Sequence, residues 1–211
     1  MALLRRVVRP MERRRAAPLR ILDLGGGLGW LSYRLASRGH DAAAIDLTIN
    51  DFDGLGAHRH YPRRFLAVQA EFDRLPFTGC TADLVIYNAS FHYSVDLLAT
   101  MREGFRVLAP GGRLVIMDSP LYRDSSSGRA MLRERRNWFF EQTGMGAPAL
   151  ECKGFLTFDA LATLEERLHL SMTVFQPWYG VRWFLRPWVA RLFARREPAR
   201  FALIVCHRLG E

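Results

Sequence analysis

The chain has 211 residues, 49% of them hydrophobic, and a net charge of +9 from 30 Lys and Arg against 21 Asp and Glu. That length and apolar share suit one domain with a sizeable core, and no apolar run approaches the roughly 18 residues of a membrane-spanning helix. Three cysteines, Cys80, Cys152 and Cys206, are odd in number and lack a Cys-x-x-Cys pair, which argues against a disulfide framework or a zinc site. Together with the lack of a basic start leading into an apolar signal core, they point to the cytoplasm.

Residues 1–20 hold seven arginines against Glu12, and residues 180–211 hold seven against Glu197 and Glu211. The middle of the chain is therefore slightly acidic. Only Lys153 is a lysine, so an arginine bias of the genome explains part of this as well as selection for anions does. Residues 1–19, with Arg5, Arg6, Arg9, Arg13, Arg14 and Arg15 among Pro10 and Pro18, predict a mobile basic arm preceding a single domain over 20–211.

Arg20–Leu24 is a short apolar run stopped by glycine, so it reads as a buried parallel strand with Asp23 near its carboxyl end. Gly25, Gly26, Gly27 and Gly29 follow and permit a ligand to approach bare backbone. Trp30–Arg38 then reads as a helix. Further strands are expected at Ala42–Asp46, Phe65–Gln69, Leu84–Asn88, Leu114–Asp118, Ser171–Gln176 and Phe201–His207, with helices at Val95–Val107, Gly128–Gln142 and Phe158–Leu168. The helix at Gly128–Gln142, with Trp138, Phe139 and Phe140 among charges, is expected to be amphipathic. Pro110-Gly111-Gly112 marks a turn ahead of the fifth strand. This alternation predicts an α/β, doubly wound sheet whose ligand lies outside the carboxyl ends of the strands.

Glycine spacing separates two cofactor classes. A dinucleotide fingerprint counted from Gly25 needs a third glycine where the chain has Trp30. The stretch instead resembles the Asp-x-Gly-x-Gly-x-Gly motif of class I S-adenosylmethionine-dependent methyltransferases, met by Asp23, Gly25, Gly27 and Gly29. The resemblance extends through Asp46, through Glu71-Phe72-Asp73-Arg74-Leu75-Pro76-Phe77, and through Phe105 to Ile116 with its Pro-Gly-Gly turn. It implies a Rossmann-like seven-stranded sheet with an antiparallel last strand, and S-adenosyl-L-methionine as cofactor. It further implies that Asp46 takes the ribose hydroxyls and that Glu71 faces the adenine amino group. Gly26, Leu47, Phe72 and Asn88 complete the implied cofactor contacts.

Methyl transfer is an in-line displacement that needs orientation and, for some acceptors, proton removal. His92, in Asn88-Ala89-Ser90-Phe91-His92-Tyr93 after the fourth strand, is a candidate base and substrate contact, with Tyr93 beside it; alternatively both cap the next helix. Asp118 and Tyr122 follow the fifth strand as pocket candidates. The segment 177–196 interleaves Trp178, Tyr179, Trp183, Phe184 and Trp188 with Arg182, Arg186, Arg191, Arg195 and Arg196. It suits a substrate lid with Trp178 and Tyr179 as contacts, a peripheral membrane contact, stacking on nucleic acid, or a helix packed onto the domain.

The resemblance to the group containing ubiquinone and menaquinone methyltransferases implies a small-molecule acceptor. The alternatives are an RNA methyltransferase, favoured by the arginines, and a non-catalytic binding protein of the same fold. Oligomeric state is left open.

Overall fold

A computed structural model describes residues 2–146, 152–193 and 196–210. In chain order it runs through α1 (Arg9–Arg14), β1 (Arg20–Leu24), α2 (Trp30–Ala36), β2 (Asp41–Asp46), β3 (Leu66–Gln69), β4 (Ala82–Asn88), α3 (Leu97–Val107) and β5 (Leu108–Met117). It continues with β6 (Leu121–Tyr122), α4 (Ser125–Thr143), β7 (Leu156–Thr157), α5 (Phe158–Leu168), β8 (Leu170–Phe175), α6 (Val181–Leu192) and β9 (Leu203–Arg208). Seven strands make one sheet in the order β3-β2-β1-β4-β5-β9-β8; β6 and β7 pair separately.

The five strands from β3 to β5 are parallel, and β9 runs antiparallel to both β5 and β8. The antiparallel strand expected at the end of the chain is therefore inserted between its neighbours. Both faces are covered at the central strands, which is why β1, β4 and β9 carry apolar runs, while the edge strands β3 and β8 are only partly buried. On one face Ile21, Leu84, Ile86, Val115 and Val205 pack with Leu35 and Ala36 of α2. On the other, Leu22, Leu24, Val85, Tyr87, Leu114 and Ile116 pack with Met101 and Phe105 of α3 and Leu161 and Leu164 of α5.

Side chains set the helix starts. Asp96 accepts from the Leu98 and Ala99 amides to open α3, and Thr157 accepts from Ala160 to open α5. The Pro-Gly-Gly turn is folded into β5: Leu108 pairs with Ala82 and Arg113 with Leu84, so residues 109–112 loop out opposite Asp83 alone.

The amino terminus differs from the expected mobile arm. A wide π turn over Leu4–Val8 leads into α1, and Leu3, Val7 and Val8 are buried against the α2 side of the sheet. Glu12 accepts from Arg38 at 2.8 Å and pairs with His40 at 3.1 Å, while Asp83 holds Arg15 and Arg20. Burial alone would raise the Asp83 carboxyl, but hydrogen bonds from Arg20 and Arg15 hold it below its ordinary value. Apolar contacts and ion pairs thus offset the chain entropy that a polar arm would keep.

A second difference lies in α4, whose buried residues are only Ser127 and Gly128. Trp138 and Phe140 stay exposed, so the aromatic end of the helix is largely turned to solvent, while its start packs through Gly128 on Phe155 and through Leu132 on Gly154. Arg195, counted in the basic carboxyl-terminal segment, lies outside the described residues.

Candidate active site

In the order β3-β2-β1-β4-β5, the chain reverses direction of sheet growth between β1 and β4, and the glycine loop leaves β1 at that point. The amides of Gly25 and Gly26 donate to the Ile45 carbonyl at 2.7 and 3.0 Å, pinning the loop to β2. Asp46, ending β2, accepts from the Gly27 amide at 2.9 Å and from the Thr48 amide at 2.9 Å. Its carboxylate keeps lone pairs for further donors.

Two glycines have different reasons to be glycine. Gly25, at φ 72°, lies where a Cβ would collide with Ser90 and crowd the Phe72 ring. Gly27, at φ 52°, has nothing within 4 Å of that position, so this part of the loop faces open space. A ligand can lie there against backbone.

Beneath the loop, Asp23 is buried. One of its oxygens accepts from the Ser32 hydroxyl at 2.9 Å, and the other has no partner. Burial pushes its carboxyl up to about 6, opposed by the Ser32 hydrogen bonds. A raised folded-state pKa favours folding below the unfolded value near 3.8, and that benefit is lost as pH rises through about 6. Two units correspond to about 3 kcal/mol at pH 7. His92, held near 4, acts oppositely over an overlapping range, so the check is a difference between proteins. Urea melts of the ligand-free chain at pH 5 and 7 are expected to favour pH 5 more in the wild type than in Asp23→Asn. An identical pH response in both would show that Asp23 ionises as if exposed.

The neighbouring strand ends complete the site. After β4, the Ser90 hydroxyl donates to the Leu24 carbonyl and the Ala89 amide donates to the Met117 carbonyl at 2.9 Å. Residues 88–90 thereby join the glycine loop to the end of β5, about 10 Å away across two strand spacings. Asp118 stands just beyond, a non-glycine residue at φ 53°. It lines a cavity of about 680 Å³ with Leu3, Arg5, Arg6, Trp178 and Tyr179 among its walls. Partial burial raises the Asp118 carboxyl above its ordinary value.

Phe72 lies at the loop, edge-on to Tyr87 at 5.7 Å, and Trp178 and Tyr179 reach the Asp118 cavity. Glu71 is exposed in a turn bridged to Arg74, and Leu47 is exposed just past β2. Asn88, at the end of β4, is half-buried. His92 is only 7% exposed; its Nδ1 is hydrogen-bonded to the Ser119 hydroxyl at 3.1 Å. Burial, with Arg135 adding to it, pushes the ring down to about 4. His92 is not among the residues lining the Asp118 cavity, and its position suits holding the Asp118–Pro120 turn. Tyr93 is exposed, with its ring 4.2 Å from that of His92.

Tyr122 does not reach the cavity. It is fully buried in the β6–β7 pairing, edge-on to Phe155 at 5.8 Å, because its strand turns inward where a loop was expected. Ser90 and Leu3 were not legible as site residues, since they are brought in by strand order and by the amino-terminal segment, whereas Ser32 comes from the first turn of α2, where its spacing from Asp23 could have signalled it.

Residues 22–116 match the family model described as methyltransferase domain. Over this stretch, a little under half of its length, the chain is similar to that family. Over 104 residues it is 36% identical to a malonyl-[acyl-carrier protein] O-methyltransferase of Hahella chejuensis, covering 48% of this chain and 37% of that protein. Over 107 residues it is 36% identical to a demethylmenaquinone methyltransferase of Thermus thermophilus, covering 49% of each. The chain thus spans half or less of the length of these relatives. A solved S-adenosylmethionine dependent methyltransferase from Mesorhizobium loti superposes with a TM-score of 0.63 at 20% identity, covering 94% of this chain and 96% of that one. The matched stretch runs from β1 to the end of β5 and so contains the glycine loop, Asp46, Ser90 and His92. The cavity beyond Asp118 is built by the flanking segments.

Proposed function

We propose that the chain is a class I methyltransferase that transfers a methyl group from S-adenosylmethionine to a small-molecule acceptor. The observation that carries this reading is the glycine loop at the sheet's reversal point, with open space over Gly27 and an unpartnered buried Asp23 oxygen beneath it. When bound, S-adenosylmethionine supplies an electrophilic methyl group on a sulfonium centre. Asp23 offers an anionic acceptor to the amino acid end, and Asp46 accepts from ribose hydroxyls. Phe72 and Leu47 give apolar surface to the adenine, with Glu71 able to accept from its amino group. Asn88 and Ser90 hold the strand end between cofactor and acceptor.

The acceptor takes the cavity lined by Asp118, Trp178 and Tyr179. Asp118 is the carboxylate on that wall, and it takes or holds the acceptor proton. His92 is a positioning residue that acts through Ser119. Of the relatives, one is named for malonyl-[acyl-carrier protein] and one for demethylmenaquinone, and the second supports a small-molecule acceptor. Free thiols at Cys80, Cys152 and Cys206 suit a cytoplasmic setting.

Titration calorimetry with S-adenosylhomocysteine tests the reading. Micromolar binding is expected, with no binding of NAD. Asp46→Ala should weaken it about 10- to 100-fold, the loss of charge-assisted hydrogen bonds together with the anchor on Gly27. Failure of the wild type to bind, or tighter binding of NAD, would overturn the assignment.

A further inference from the structure

From Pro177 to Arg196 the chain has five arginines and no acidic residue. Most of this stretch is α6 with its leading turn. At 100° per residue, Val181, Phe184, Leu185, Trp188, Val189 and Leu192 share an arc of about 140°. A soluble domain normally turns such an arc inward. Here it faces solvent: Leu192 is 81% exposed and Phe184 60%. The opposite side of the helix, with Trp183, Arg186, Pro187 and Ala190, is the half-buried one. Trp183 anchors it, 5.9 Å from the Phe201 ring and with Arg186 stacked at 4.0 Å.

The helix stands as a ridge between two clefts, with Leu185 and Val189 on one flank and Phe184 and Trp188 on the other. Clefts of about 1260 and 500 Å³ border it, one towards α4 and one towards residues 198–201. Around the ridge, Arg182, Arg123, Arg5 and Arg6 are exposed, Arg123 beside Trp178 and Trp188 and the other pair across the Asp118 cavity from Trp178. Of the nearby acidic groups, Glu134 accepts from Arg196 at 2.8 Å, Glu197 accepts from the Arg123 amide and pairs with Arg200, and Asp118 is withdrawn into its cavity, so none is left facing the ridge as a free charge among the described residues. No helix among the described residues is long and apolar enough to cross a membrane.

An outward apolar ridge with tryptophans, ringed by guanidinium groups, matches one kind of surface: a soft apolar layer beneath an anionic one. We infer that α6 and the turn before it dock the protein on anionic lipid bilayers, the ridge lying in the interface plane and the arginines meeting headgroup phosphates. A second copy of the chain would bring like charge against like charge. This inference stands apart from methyl transfer. The mouth of the Asp118 cavity shares Trp178 and Tyr179 with the docking surface, so it opens at the bilayer.

The test is co-sedimentation of the full chain with vesicles of phosphatidylcholine alone and of phosphatidylcholine mixed with phosphatidylglycerol. Partitioning onto the mixed vesicles should be about tenfold or more stronger and should fall with added salt. The double variant F184E/L192E should lose at least about tenfold of it. Both positions are exposed, so its melting temperature should stay close to that of the wild type. Tryptophan emission should shift to the blue on mixed vesicles in the wild type and stay unchanged in the variant. Absence of binding to mixed vesicles, or equal binding by the variant, would overturn the inference. So would a lipid-free dimer dissociated by the same variant, or salt-sensitive binding of single-stranded RNA abolished by it, since either would give the ridge a different occupant.

Discussion

Asp118→Asn is expected to lower the rate of methyl transfer about 100- to 10,000-fold while S-adenosylhomocysteine affinity changes by less than about twofold. Asparagine keeps the size and the polar edge of aspartate but cannot take a proton. The residue lies across the Asn88–Ser90 segment from the glycine loop, so cofactor affinity should not sense it. Its pH signature follows from burial. The working form of a base is the ionised one, and desolvation raises the Asp118 carboxyl above its ordinary value. The acid limb of the rate profile should therefore lie higher in pH than an exposed aspartate would put it, and the asparagine variant should lack that limb. His92→Gln should keep it, because His92 does not line the cavity in which the acceptor would sit. Turnover is measured with labelled methyl donor on an acceptor drawn from a small-molecule screen. A variant as fast as the wild type would remove Asp118 from the chemistry and leave orientation alone to carry it.

The contrast between His92 and Asp118 shows where sequence reasoning reaches its limit. Both follow strands whose carboxyl ends face the ligand, and histidine is the more usual base near neutrality. What separates them is access: Asp118 lines the cavity, and His92 does not. His92 sits in a 3-10 turn (Phe91–Tyr93) tied to Ser119 on the next strand's loop, a contact between residues 27 apart that no local pattern announces. The central strands were legible because both faces of the sheet are covered there, which writes them as apolar runs. Asp23, the glycines and Asp46 were legible because adjacent elements bring them together within a single βαβ unit. Ser90 was not, since it meets the glycine loop only through the pairing of β1 with β4, 66 residues apart.

The amino-terminal helix had a readable signal that its arginines obscured. Leu3, Leu4, Val7, Val8 and Met11 recur at helical spacing, and the buried ones among them cover the sheet beside α2. Charge composition describes the solvent side of such a helix and says little of its inner side. The same reasoning run backwards applies to α4: its sequence suggested an amphipathic helix, but only tertiary placement decides whether the apolar residues meet the core or the solvent.

Gly25→Ala and Gly27→Ala should fail in opposite ways. At Gly25 a substituted residue is forced into an unfavourable left-handed backbone, and its methyl group collides with the Cβ of Ser90, whose position is set by the backbone and cannot be relieved by rotating the side chain. Left-handed strain of about 1–2 kcal/mol and overpacking of about 1–3 kcal/mol add, so a loss of about 2–5 kcal/mol is expected in urea melts. At Gly27 the backbone is again left-handed, but the methyl group meets open space. Only the strain is felt, about 1–2 kcal/mol. Yet that space is where the cofactor would lie, so S-adenosylhomocysteine binding should fall by about 100-fold or more as the added atoms displace it. Paired melts and calorimetry separate the two: Gly25→Ala loses folding first, and Gly27→Ala keeps its fold and loses its ligand. Wild-type affinity in Gly27→Ala would mean that the ligand does not rest on this loop, and the cofactor would then have to be sought elsewhere along the carboxyl edge of the sheet.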